Sequence, residues 1–135
     1  KCEKPGTPLP LISGDPIKLS MVVENLIDNA MKYTPQGGKV TVSVSDARMN
    51  SAESSLEVVV SDTGIGIPAV ERDKIFHRFF RGSNAIKVLT DGTGLGVFIS
   101  RDIIEKHGGA IWFESKEGEG TQFHFTIPVH RKEKD

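Results

Sequence analysis

Cysteine is almost absent from this chain: Cys2 is the only one in 135 residues, which rules out an internal disulfide and a cysteine-built zinc site. That usage suits a reducing compartment. Net charge is nearly absent too. The 17 Lys and Arg against 18 Asp and Glu leave a formal charge of −1, so no basic field is present to draw nucleic acid or an anionic membrane. Any anionic ligand has to be gripped by local geometry. No apolar run approaches the roughly 20 residues that span a bilayer, and the opening Lys1-Cys-Glu-Lys-Pro-Gly-Thr-Pro8 has neither signal- nor transit-peptide character. It reads as a linker, and the chain as a fragment of something larger. With 37% hydrophobic and 26% charged residues, the composition is that of an ordinary globular protein. The length allows one domain to bury a core without staples.

Local signals place the elements. Residues 1–14 are rich in Pro and Gly, and Leu9-Pro-Leu-Ile12 could add an edge strand. Asp15-Pro16 starts a helix, with Asp as N-cap and Pro at the first helical position. Leu19, Val22, Val23, Leu26, Ile27 and Ala30 then recur at helical spacing until Thr34-Pro35-Gln-Gly37-Gly38 ends the run. Val40, Val42 and Val44 alternate as a strand, and Ala47 to Ser55 is polar and turn-like. Leu56 to Val60 is nearly continuous apolar strand, expected to be central and covered on at least one face. Glu71 to Phe80 holds a short helix, and Gly82 to Asp91, with little periodicity, is expected to be a mobile lid. A second long helix runs from Val97 to about Lys106 and stops at His107-Gly108-Gly109. Ala110–Glu114 and Thr121–Ile127 form a hairpin across Gly118-Glu-Gly120, and 130–135 is a charged, fraying tail. Strands and helices do not alternate regularly, which predicts an α+β sandwich over residues 15–129, a helix layer on a mixed sheet.

Three clusters could carry chemistry. Asn25, Asn29 and Lys32 share one narrow sector of the first helix at roughly 100° per residue, bordering the apolar set. An Asn carbonyl is a hard oxygen that suits Mg²⁺ while phosphates and waters complete its shell, and Lys32 could neutralise phosphate. Taken alone, the stripe is better read as the solvated side of an amphipathic helix. Glu24 points away from both amides and reads as surface charge.

Asp62 closes the apolar strand and is followed by Gly64 and Gly66. An ionised carboxylate accepts hydrogen bonds and cannot donate them, so it suits the amine of adenine and rejects the guanine carbonyl. The glycines would let the main chain curl under the base. The plain alternative is an Asx-turn leaving a strand. Gly92-Thr93-Gly94-Leu95-Gly96 precedes a helix and offers N–H groups to an anion. It is not a Walker A loop, because no Lys-Ser/Thr follows. Nor is it the dinucleotide fingerprint, whose spacing differs and which follows a strand directly.

Taken in order, these clusters resemble the four boxes of the ATP-binding domain of sensor histidine kinases, within the superfamily shared with DNA gyrase, heat-shock chaperones and mismatch-repair ATPases. The likeness runs from about Ile12 to Pro128. Asn25-Leu-Ile-Asp-Asn29-Ala-Met-Lys32-Tyr33-Thr-Pro35 is similar to the N box, and Asp62-Thr-Gly64-Ile-Gly66-Ile-Pro68 to the first glycine box. Ile75-Phe76-His-Arg78-Phe79-Phe80-Arg81 is similar to the F box. Gly92 to Gly96, with His107-Gly108-Gly109, is similar to the second glycine box and its helix.

The resemblance implies a Bergerat-type fold, a mixed and mostly antiparallel sheet covered on one face by helices, with ATP and Mg²⁺ as cofactors. It also implies roles. Asn29 would ligate Mg²⁺, with Asn25 beside it at the phosphates; Lys32 would contact phosphate and Tyr33 would pack on ribose or base. Asp62 would bind the adenine amine, helped through water by Thr121, with Gly64 and Gly66 beneath the base. Gly92, Thr93, Gly94, Leu95 and Gly96 would hold the phosphates, and Arg81 would reach the terminal one. Phe76 and Phe80 would anchor the lid, plain core packing being the alternative. Val97-Phe98 departs from the commoner Leu-Ala after the last glycine. Asn25 stands where hydrolytic relatives carry a water-activating glutamate, which implies slow hydrolysis and favours transfer. His77, His107, His124 and His130 are followed by Arg78, Gly108, Phe125 and Arg131, so none has the acidic neighbour of a phosphoacceptor. The implied partners are therefore the protein's own dimerising helical domain upstream of Lys1 and, through it, a response regulator. Neither nucleic acid nor direct membrane contact is implied, and the location implied is cytoplasmic, whether or not the parent is membrane-anchored. Two rivals remain: a serine kinase of the anti-sigma-factor type, and a degenerate nucleotide-binding or protein-interaction module.

Overall fold

Period-two alternation along four strands builds one two-sided sheet. In the computed structural model, which describes residues 2–3, 14–48, 54–76 and 96–129, the strands are β1 (Cys2–Glu3), β2 (Val40–Arg48), β3 (Ser54–Asp62), β4 (Ile111–Lys116) and β5 (Gly120–Pro128). Their order is β1-β2-β3-β5-β4. β1 lies parallel to β2 and the other pairs are antiparallel. The apolar strand is central, as its composition predicted.

The register arranges the inner face in cross-strand rows. Val44, Val58, Phe125 and Ile111 make one row; Val42, Val60, Phe123 and Phe113 make the next. β-Branched and aromatic neighbours of this kind each add roughly 0.2–1 kcal/mol to pairing. One step further along, the row becomes Val40, Asp62, Thr121 and Ser115. Three strands thus turn polar at the same level.

Two helices, α1 (Pro16–Lys32) and α2 (Gly96–Lys106), cover this face. Asp15 caps α1 as expected, its carboxylate accepting the Ile17 and Lys18 N–H groups at 3.0 and 3.2 Å. Val22, Leu26 and Ala30 of α1 pack with Ile103 and Ile104 of α2 onto Val60, Phe123, Phe125 and Ile127. Burial of a side chain such as Leu or Phe is worth about 1.5–3 kcal/mol. His107 follows α2 and ties it to α1: its Nδ1 donates to the Ile103 carbonyl at 2.8 Å and its Nε2 accepts the Asp15 N–H at 3.0 Å.

Several boundaries differ from the sequence reading. Ala47 and Arg48 continue β2, and Ser54 and Ser55 begin β3, because backbone pairing persists where polar side chains obscure the alternation. The short edge strand is Cys2–Glu3; Leu9–Ile12 lies outside the described residues. The segment expected as a helix over Glu71–Phe80 is, in its described part, a 3₁₀ helix over Ala69–Lys74, opened by the Glu71 N–H bond to the Pro68 carbonyl at 3.0 Å. The expected lid over Gly82–Asp91 and the tail at 130–135 also lie outside the described residues.

Candidate functional site

Where the polar row meets the last turn of α1, helix and sheet part to leave a cleft of about 640 Å³, counted to its open mouth. Leu26, Ala30, Val60, Ile67, Val97 and Phe123 give apolar walls, while Asn29, Asp62 and Thr121 supply polar points.

Asp62 is the last residue of β3. Its Oδ1 accepts the N–H groups of Gly64 at 2.8 Å and of Thr121 at 3.2 Å, and no described residue bonds its Oδ2. Burial raises its pKa above the ordinary carboxylate value, and the Gly64 and Thr121 N–H groups offset part of that rise. The Asx-turn of the sequence reading is therefore present, and it uses only one of the two carboxylate oxygens. Oδ1 closes an Asx-type turn, and Oδ2 faces no partner among the described residues.

The loop after Asp62 is stitched to its surroundings. Ile65 N–H donates to the Tyr33 carbonyl at 3.1 Å, Gly118 N–H donates to the Ile65 carbonyl at 2.8 Å, and Ile67 N–H donates to Ser115 Oγ at 2.8 Å. A Cβ at position 64 would stand 2.4 Å from the Tyr33 carbonyl oxygen, and one at position 66 would stand 2.1 Å from that of Lys116. The glycines are thus required by the protein's own backbone, whatever the cleft holds. Gly66 lines the cleft; Gly64 is buried and does not.

The amide stripe is divided. Asn29 and Tyr33 line the cleft, whereas Asn25, half-buried one turn earlier, lies outside its lining. Lys32 also lies outside it and pairs with Asp28 at 2.8 Å. An exposed i,i+4 pair is worth only about 0.3–0.5 kcal/mol, so it holds the ammonium weakly. Gly96 opens α2 and Val97 lines the cleft, so the start of this helix lies at its rim. Arg81, Gly92, Thr93, Gly94 and Leu95 lie outside the described residues, as do Phe79 and Phe80. Phe76 packs on Phe113 and Phe123 with centroids 5.8 and 6.4 Å apart, and the Arg101 guanidinium sits 5.6 Å over its ring.

Ser115 escaped the sequence reading. Its Oγ lies 2.8 Å from Thr121 Oγ1 and donates to the Gly120 carbonyl at 3.0 Å. The signal was its distance from Gly118, equal to that of Thr121, which places the two opposite each other in a hairpin. The apolar walls Ile65, Ile67 and Pro68 also went unnoticed, since loop residues carry no period.

No group of three His, Cys, Asp or Glu side chains gathers among the described residues, so they build no closed metal cage. The donor set still fits Mg²⁺. Asn29, which carries one hard amide oxygen, lines a cleft open to solvent, where phosphates and water, the ligands that this ion usually keeps, would complete the shell. His124 takes no part: on the outer face its ring stacks on Trp112 at 5.2 Å, between Glu57 and Glu114.

The profile of the histidine kinase-, DNA gyrase B- and HSP90-like ATPase family matches residues 14–131. The sensor histidine kinase WalK of Bacillus subtilis is 42% identical over 121 residues, 90% of this chain and 19% of that protein. Among solved structures, a mycobacterial sensor histidine kinase, MprB, aligns with a TM-score of 0.76 and 35% identity over 95% of this chain and 82% of that one. Full-length ShkA in complex with AMPPNP aligns with a TM-score of 0.68 and 29% identity over 94% of this chain and 25% of that one. The chain spans 19% to 31% of the length of curated relatives such as WalK and the sensory kinase SasA of a Synechococcus strain. On these matches the chain belongs to the histidine kinase-, DNA gyrase B- and HSP90-like ATPase family, as a catalytic domain of the sensor histidine kinase kind.

Proposed function

We propose that this domain binds MgATP in the cleft and presents its γ-phosphoryl group for in-line transfer to a histidine on a separate helical domain, from which a response regulator takes it. The observation that carries this reading is Asp62 Oδ2, an acceptor left open at the polar end of an otherwise apolar cleft. It would take the adenine amine while Leu26, Ala30, Val60 and Phe123 cover the ring. Tyr33 would stack at the ribose side. Asn29 would hold Mg²⁺, which would neutralise phosphate charge there. Asn25 would line the phosphates, and Lys32 would exchange Asp28 for phosphate. Arg81 and the Gly92–Gly96 loop would complete the phosphate grip. Asn25 in place of a carboxylate leaves water without a base there, so the domain's work is positioning and charge neutralisation. ATP and a response regulator locate the reaction in the cytoplasm.

Labelled ATP tests the proposal. The 135-residue chain alone should bind nucleotide, incorporate almost no acid-labile phosphate and hydrolyse ATP slowly. Mixed with its histidine-bearing helical domain, it should phosphorylate that histidine. Fast hydrolysis by the chain alone would refute the transfer role. Phosphorylation of a serine on a small partner would replace the histidine kinase reading by the anti-sigma one.

A further inference from the structure

We propose that Ser115 is a positioning residue that sets the hydrogen-bond polarity of the cleft, so that its polar end accepts a donor-bearing purine edge and rejects a carbonyl. The inference rests on the nucleotide reading above and adds a residue to it.

Every proton around Ser115 Oγ has one place to go. Ser115 Oγ meets Ile67 N–H at 2.8 Å, the Gly120 carbonyl at 3.0 Å and Thr121 Oγ1 at 2.8 Å. Ile67 N–H can only donate and a carbonyl can only accept. The single proton of Ser115 therefore goes to Gly120, and the contact with Thr121 is made by Thr121 donating. That bond uses the only proton Thr121 has. What Thr121 shows the cleft is lone pairs. Asp62, directly opposite it in the β3–β5 register, also shows an acceptor, because its Oδ1 is held by two N–H groups and its Oδ2 is open. This end of the sheet offers adjacent acceptors and no hydroxyl proton.

A purine amine is received there; a carbonyl at the same place meets lone pairs on both sides. A water bridging Thr121 to a ring nitrogen has to donate both its protons, one to each. Thr121 is 7% exposed, so solvent offers its hydroxyl little alternative. Removing the Ser115 hydroxyl frees the Thr121 proton to rotate into the cleft, where a carbonyl can take it.

The test compares ATP with ITP, which carries a carbonyl where ATP carries the amine, by calorimetry on the 135-residue chain. The wild type should prefer ATP. In Ser115→Ala that preference should fall by about three- to tenfold, the worth of one hydrogen bond, and Ser115→Thr, which keeps the hydroxyl, should restore it. A general loosening of the loop, which loses the acceptor for Ile67 N–H, weakens both nucleotides alike and leaves the ratio unmoved. Thr121→Val, which keeps the Ser115 bonds to Ile67 and Gly120, should lower the ratio as well. An unchanged ATP-to-ITP ratio in either variant would overturn the assignment while the nucleotide reading stands. A wild type that binds neither nucleotide would overturn both.

Discussion

Asp62→Asn separates what the carboxylate does for a ligand from what it does for the fold. The substitution keeps the shape and one acceptor oxygen, so the Gly64 and Thr121 N–H groups, now at 2.8 and 3.2 Å from Oδ1, retain their partner. It removes a charge that burial disfavours. Because the folded-state pKa of Asp62 is raised, the native state holds the proton more readily than the unfolded chain. Stability contributed by that proton is present at low pH and is lost as pH rises through the folded pKa. At neutral pH the ionised group is a net cost to the fold. Without ligand, Asp62→Asn should therefore melt at or above the wild-type temperature, and its acid-side stability profile should lose the falling segment just above the ordinary carboxylate range. Binding should move the opposite way. A hydrogen bond to a charged group contributes about 1.5–3 kcal/mol, and the new amide would set N–H against the adenine amine. ATP affinity should thus fall by about ten- to a hundredfold. Calorimetry with ATP, beside melting curves over a pH series, reads both arms. A variant that binds ATP as tightly as wild type would refute the ligand role of Oδ2. A variant that loses several degrees without ligand would refute the claim that the charge serves binding at the expense of stability.

Gly66 and Gly118 share positive φ, +70° and +83°, but a Cβ at 66 meets the Lys116 carbonyl at 2.1 Å and one at 118 meets nothing within 4 Å. In denaturant titrations Gly118→Ala should lose about 1–2 kcal/mol of left-handed strain, and Gly66→Ala should lose that plus roughly 1–3 kcal/mol of crowding; equal losses would contradict the contact. Asn29→Ala should bind MgATP little better than metal-free ATP, and a wild-type Mg²⁺ enhancement in that variant would remove Asn29 as the ligand. Leu26 and Ile104 are both fully buried, but only Leu26 lines the cleft. Alanine at either should cost about 2–5 kcal/mol, while ATP affinity should drop only for Leu26→Ala.

The parts legible in the sequence were those set by local chemistry. Asp15-Pro16 marks the start of α1 because a carboxylate and a ring that lacks an N–H satisfy a helix end by themselves. Val40-Val42-Val44 and Leu56 to Val60 show their pleat directly. Asp62 stands out because it closes an apolar strand. What stayed hidden depends on which strands become neighbours. β5 lies between β3 and β4, so Asp62 meets Thr121 across 59 residues, and only the family resemblance linked the two. The same pairing carries Ser115, which looks like any polar residue before a turn. A two-residue strand such as Cys2–Glu3 has no period to read. The backbone reason for Gly66 was hidden in the same way: the Lys116 carbonyl that demands it arrives from a hairpin 50 residues later.

Core and cleft are not separate structures here. Leu26, Ala30, Val60 and Phe123 belong both to the buried cluster and to the cleft wall, and the polar row is simply the next step of the same sheet. Apolar rows can hold a disfavoured charge in place because each neighbouring strand is fixed by its own buried side chains. The register that packs Val60 on Phe123 also sets Asp62 opposite Thr121. A ligand that fills the cleft covers apolar surface left open on its half-buried rim residues Ile65, Ile67, Pro68 and Val97. Nucleotide at a hundred times its dissociation constant would stabilise the domain by about 2.7 kcal/mol, comparable with one buried side chain. The buried carboxylate that makes the free domain less stable than its core allows is, in the proposed function, the group that receives the purine.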